Sequence, residues 1–173
     1  LSWNIDGETD LTDDSLQKLH VSQAIEYYSS GNEKEASDNL KSAIDDGYNN
    51  PAAYFLLGYL YIQLGRMESA SRSLIKSVSH SEFALGSRLL LASYYSSIES
   101  WMEASKEYLE ALRIADISLV ENEDVEDLIQ LYEVMIDDLE SREEDEAYVE
   151  MSKHIESMLL RSDWRDVLTD MRG

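Results

Sequence analysis

The residue types that do chemistry are sparse in this chain, and their spacing does not assemble a reaction centre. Histidine, which titrates near neutral pH and commonly ligates metal, occurs at His20, His80 and His154. Each stands alone, with no second ligand at helical spacing, and reads as a packing or surface residue. Cysteine is absent, which removes disulfides, thiolate catalysis and cysteine metal sites together. Asp137 and Asp138 are consecutive and would point to different sides of a helix, so they do not form an acid–base pair. The Asp6-Gly7-Glu8-Thr9-Asp10 cluster invites a calcium reading, but its Asp, Gly and distal Glu do not fit the twelve-residue loop. No phosphate-cradling glycine loop, Gly-x-Ser-x-Gly turn or His-Glu-x-x-His pair occurs. The expectation is therefore no catalytic residue, no metal site and no cofactor, with function residing in non-covalent recognition.

Charge narrows the partner. The 173 residues carry 36 Asp+Glu against 14 Lys+Arg, a formal net charge of -22. Affinity for nucleic acid or an anionic membrane surface rests on Lys and Arg displacing counterions, so both are excluded as partners. With 43% apolar residues, 11 Tyr and 3 Trp, the chain has enough to bury one continuous core and does not read as a disordered acidic tail. The longest nearly apolar stretch, Tyr54 to Ile62, is far short of the ~20 residues a membrane helix needs. The start, Leu1-Ser2-Trp3-Asn4-Ile5-Asp6, lacks a signal-peptide pattern and an initiator Met. That start reads as a processed protein or an excised fragment, and without a spanning stretch the chain reads as soluble, with a cytoplasmic location favoured.

The elements that must present a recognition surface are helices. Seven Gly and one Pro in the whole chain, with Ala, Leu, Glu and Ser throughout, predict an all-α protein. Sliding the chain on itself by 34 residues aligns three segments without a gap. Ala24, Tyr27, Gly31, Ala36, Leu40 and Ala43 fall on Gly58, Tyr61, Gly65, Ala70, Leu74 and Ser77, and then on Ala92, Tyr95, Glu99, Ala104, Tyr108 and Ala111. Ala24, Gly58 and Ala92 are mid-helix positions where a second helix approaches at Ala36, Ala70 and Ala104, since only small side chains allow so close a contact. The tyrosines fill the space one turn along. Gly31 and Gly65 stop the first helix by adopting the left-handed conformation.

This pattern resembles the tetratricopeptide repeat family, whose 34-residue helix-turn-helix units carry small, aromatic, glycine and alanine positions in this order. The resemblance covers Gln17 to Asp116. It departs from the family at Glu99, in place of the turn glycine, at Ser77, in place of a late alanine, and at Tyr48, Glu82 and Asp116, where the repeat-ending proline usually stands. It implies a right-handed α-solenoid of antiparallel helix pairs with a C-terminal capping helix region. Residues 1–16 then form an N-terminal arm and the start of the first helix. Three repeats follow at 17–50, 51–84 and 85–118, and 119–173 hold a degenerate fourth repeat and an acidic cap.

First helices of such repeats line a concave groove. Here the implied groove residues are Val21, Ile25 and Tyr28 in the first repeat, Phe55, Leu56, Tyr59 and Ile62 in the second, and Leu89 and Ser93 in the third. The family's clamp for acidic chaperone tails needs Lys, Arg and Asn. Val21, Ile25, Leu56, Gly86 and Leu90 stand at those positions, and none can bind a carboxylate. The groove's apolar centre requires cover: either an external amphipathic helix or peptide, or the chain's own Trp3 and Ile5 at one end and Trp164 and Leu168 at the other.

The flanks are less regular. Thr12-Asp13-Asp14 offers a helix N-cap, and Ser162-Asp163-Trp164-Arg165 opens a last helix with Trp164, Val167, Leu168 and Met171 on one side. The degenerate unit places Leu131, Val134 and Met135 on its first helix and Ala147, Met151 and Ile155 on its second. From Asp116 onward there are 19 acids and 5 bases, a net of -14, against 17 and 9, a net of -8, before it. This acidic end is either a solvated face or a means of steering a basic partner. The functional expectation is a protein-protein interaction module, an adaptor, assembly factor or chaperone. The alternatives are a secretion-type chaperone for translocator proteins, or an interaction domain cut from a larger enzyme or sensor.

Overall fold

A computed structural model describes residues 13–141 and 145–172. The Trp3–Asp10 arm, the acidic Asp6–Asp10 cluster and the capping Thr12 lie outside them. Among the described residues the structure is helical throughout, with no strand. Three hairpins come first: α1(Asp13–Ser29) with α2(Glu33–Asp45), α3(Pro51–Gln63) with α4(Met67–Val78), and α5(Ser81–Ser97) with α6(Trp101–Ile117). Then come α7(Val125–Glu140), α8(Asp145–Leu159) and α9(Trp164–Arg172). Adjacent helices pack in pairs, as in a tetratricopeptide-like solenoid.

Local chemistry explains where the helices stop. After α1 the amide of Gly31 donates to the Tyr28 carbonyl at 3.1 Å and that of Asn32 to the Tyr27 carbonyl at 2.9 Å. This is the Schellman arrangement, which satisfies the last carbonyls of a helix and requires positive φ at its pivot. The turn recurs after α3, from Gly65 to Ile62 and Arg66 to Tyr61, and after α5, from Glu99 to Ser96 and Ser100 to Tyr95. The pivots have φ of 77°, 69° and 59°. Glu99 thus adopts the glycine conformation despite its side chain. A Cβ at Gly31 or Gly65 would meet nothing within 4 Å, so backbone conformation alone selects glycine there. Glu99→Gly is expected to stabilise the chain by about 0.5–1 kcal/mol, because an L side chain in the left-handed region is strained. Differential scanning calorimetry should show Tm rising by about 1–4 °C. Between the first two hairpins, Gly47 (φ 98°) ends α2, and Asn50 caps α3 by accepting the Ala52 amide at 2.9 Å ahead of Pro51.

The small recurrent positions are where the helices meet. Ala24, Ala36, Ala70, Ala92 and Ala104 are buried, as is Gly58. So are the large partners Leu40, Leu74 and Tyr108. Ser77, at the alanine position of the second hairpin, is also buried. Its hydroxyl lies 2.7 Å from that of Ser87 on α5 and reaches the Leu74 carbonyl at 2.8 Å. A serine pair therefore ties α4 to α5 without an unsatisfied hydroxyl.

The C-terminal helices pack differently. On α7 the buried stripe is Tyr132 and Leu139, flanked by partly buried Leu128 and Ile136. Leu131, Val134 and Met135, placed on this helix by extending the repeat, are 54%, 65% and 39% exposed. The reason is an anchor outside the repeat pattern: the Tyr132 hydroxyl donates to Asp116 Oδ2 at 2.6 Å, which turns the Tyr132 face toward α6. Helix α8 buries Ile155 and partly buries Met151, but its main support is α6. There Ser105 Oγ donates to the Tyr148 carbonyl and lies beside Ser152 Oγ, both at 2.9 Å. On α9, Leu168 is buried and Trp164 packs on the same core, while Met171 is 64% exposed.

Candidate functional site

The nine implied groove residues lie on α1, α3 and α5, and the fold treats them unequally. On α1, Ile25 and Tyr28 present 56% and 45% of their surface to solvent, and Val21 is half-buried. On α3, Leu56 and Ile62 pack against the N-terminal core. Leu89 on α5 packs against the C-terminal core, whereas Ser93 is exposed. Phe55 and Tyr59 are half-buried. The Phe55 ring lies 5.5 Å from that of Phe83, and a Cβ at Gly86 would come within 3.2 Å of Phe55 Cε2. Gly86 therefore admits the Phe55 ring against α5, and Phe55 is partly a joint between the second and third hairpins.

A concavity lies on another face of α3. It has a volume of about 450 Å3 and is walled by α2 and α4, which make no extended contact with each other. Tyr54, Leu57 and Tyr61 of α3 form its floor, and Lys41, Arg72 and Lys76 stand on its walls. Lys76 Nζ sits 4.8 Å over the Tyr54 ring, and the Arg66 guanidinium lies 5.9 Å from that of Tyr61, both within cation–π reach. The hydrogen bond from Lys41 to Asp45 raises the lysine pKa. Burial pushes the Tyr61 phenol up, with Lys41 and Arg66 acting against it. The repeat pattern does not mark this cleft, because its recognition positions fall on the first helix of each hairpin. The available signal was Arg72 and Lys76 at i, i+4 in a chain otherwise poor in base.

The histidines are dispersed. His20 Nε2 lies 3.6 Å from Asp46 Oδ2, with Nδ1 3.4 Å from Asn39 Oδ1. His80 and His154 are exposed. Among the described residues, no three His, Cys, Asp or Glu side chains converge as a metal site, and no helix is long and apolar enough to cross a membrane.

Residues 51–80, which hold α3 and α4, match the family model described as Tetratricopeptide repeat. No curated protein and no solved structure matches the chain significantly.

Proposed function

We propose that this chain, a member of the tetratricopeptide repeat family, is a protein-protein interaction module that takes an amphipathic helix or peptide of its partner on the face of α1, α3 and α5. Its role is that of an adaptor, assembly factor or chaperone. The observation that carries the reading is the exposure of Ile25 and Tyr28, two large apolar side chains one turn apart at groove positions of the first hairpin. Half-buried Tyr59 and Phe55 on α3 extend the same set of positions. Apolar anchors at helical spacing are what helix-in-groove recognition uses, and aromatic anchors contribute most to such interfaces. The acidic excess after Asp116 favours a partner with basic character, through faster encounter rather than tighter contact.

Affinity capture from the source cell, with wild type beside an Ile25→Ser/Tyr28→Ser variant, tests this. These positions are exposed, so the variant should fold with stability within about 1 kcal/mol of wild type. It should lose its captured partners by more than about tenfold, as loss of a central anchor does. Capture of the same proteins at the same level would overturn the groove reading. Phe55→Ala is a poorer probe, since its ring also joins α3 to α5.

A further inference from the structure

The cleft between α2 and α4 is cationic in a strongly anionic chain. Nine Lys and Arg precede Asp116, all of them among the described residues. Seven are ion-paired: Lys18, Lys34, Lys41, Arg66, Arg88, Lys106 and Arg113. Arg72 and Lys76 are the two with no ion pair among the described residues. Arg72 Nη2 reaches only Ser69 Oγ, at 3.4 Å, and Lys76 rests over the Tyr54 ring. They lie one turn apart on α4, both line the cleft, and the single acid lining it, Asp45, is held by Lys41. Between these charges Leu57, Ile44 and Ile75 supply an apolar bed.

This arrangement combines two unneutralised donors with a hydrophobic floor in an open space of about 450 Å3. Arg forms bidentate bonds to carboxylates, and Lys adds a point charge. Asp38 of α2 also acts on Tyr61 of the floor, and it is paired with Lys34 and Arg66. Helices α7, α8 and α9 make no extended contact with α2 or α4, and at physiological salt exposed charges are screened beyond about 8 Å.

We propose that the α2–α4 cleft is a second binding site, separate from the α1–α3–α5 face, for an extended acidic peptide of another protein. A carboxylate engages Arg72 and Lys76, and an adjacent aliphatic side chain rests on Leu57 and Ile44.

The test uses the full chain, 15N-labelled, titrated with three probes: a synthetic peptide alternating glutamate with leucine, its glutamine counterpart, and inorganic phosphate at matched ionic strength. The acidic peptide should shift the amides of Lys41, Ile44, Ser73 and Lys76. The glutamine peptide should bind at least about tenfold more weakly, and Arg72→Gln/Lys76→Gln should weaken the acidic peptide by a similar factor. Both substituted residues are exposed, so an unchanged Tm should accompany the loss. The Ile25→Ser/Tyr28→Ser variant should bind this peptide as wild type does, which separates failure here from failure of the groove reading. Equal binding of the two peptides, or phosphate shifting the same amides as strongly, would overturn the proposal. So would dimerisation of the wild type, seen by sedimentation and lost in Arg72→Gln/Lys76→Gln, because the occupant would then be a second copy.

Discussion

Gly58→Leu should lose the folded second hairpin. A Cβ on Gly58 would lie 2.6 Å from Leu74 Cγ and 2.7 Å from Leu74 Cδ2, with the Ala70 carbonyl oxygen 3.4 Å away. Leu74 has no exposed surface into which it can retreat, and the Ala70 oxygen belongs to the backbone of α4. Relief therefore requires moving α4 from α3. Overpacking a close interior costs about 1–3 kcal/mol for added methylenes, and more where backbone must move. Against a total stability of about 5–15 kcal/mol, a whole leucine side chain here should remove most of it.

A milder cycle identifies the contact responsible. Gly58→Ala alone should destabilise through the Leu74 clash, and Leu74→Ala alone by about 2–5 kcal/mol through the cavity it leaves. Combined, they should cost less than the sum of the two, since the added methyl enters the vacated space. Urea denaturation of the four proteins measures this. Strict additivity would show that the Gly58–Leu74 contact is not the cause.

Ser105→Leu should detach the C-terminal helices while leaving the first two hairpins folded. Ser105 is wholly buried on α6, between the Tyr148 carbonyl and the Ser152 hydroxyl of α8. Leucine at this position both overfills the α6–α8 contact and leaves Ser152 without its neighbour, at a combined cost of about 2–4 kcal/mol. Ser105→Ala, which removes only the hydrogen bonds, should cost about 1 kcal/mol. Stacked helical units draw stability from their neighbours, so the loss should be local. Hydrogen exchange should show reduced protection in α7, α8 and α9, with that of α1 to α4 retained. Uniform loss along the chain would mean that the fold unfolds as one unit and that this contact has no separate role.

Gly31, Glu99 and Gly58 show what one dimension reveals. The first two mark a helix end through a single backbone angle, and a residue aligned with Gly31 and Gly65 takes the same angle even when it is glutamate. Gly58 marks a helix crossing through its missing side chain, and recurrence at Ala24 and Ala92 made that crossing legible. By contrast, Leu131, Val134 and Met135 are exposed because Tyr132 is held by Asp116, a pairing with no counterpart in the repeats. The groove positions were readable as helix faces. Their division into exposed Ile25 and Tyr28 and joint-forming Phe55 depends on Phe83 and Gly86 of the following hairpin.

The helical class, the turns and the crossings of the first hairpins were thus legible from residue types at a constant spacing, because each depends on a backbone angle or a side-chain volume carried by one or two residues. Which cations are paired, which apolar residues remain in solvent, and that α8 rests on α6 while α2 and α4 stay apart were settled by tertiary packing. Ion pairs such as Arg88–Glu107 and Lys106–Glu140 join positions 19 and 34 residues apart. Pairing at that range follows from how the helices stack, so only the folded chain isolates Arg72 and Lys76 above an apolar floor.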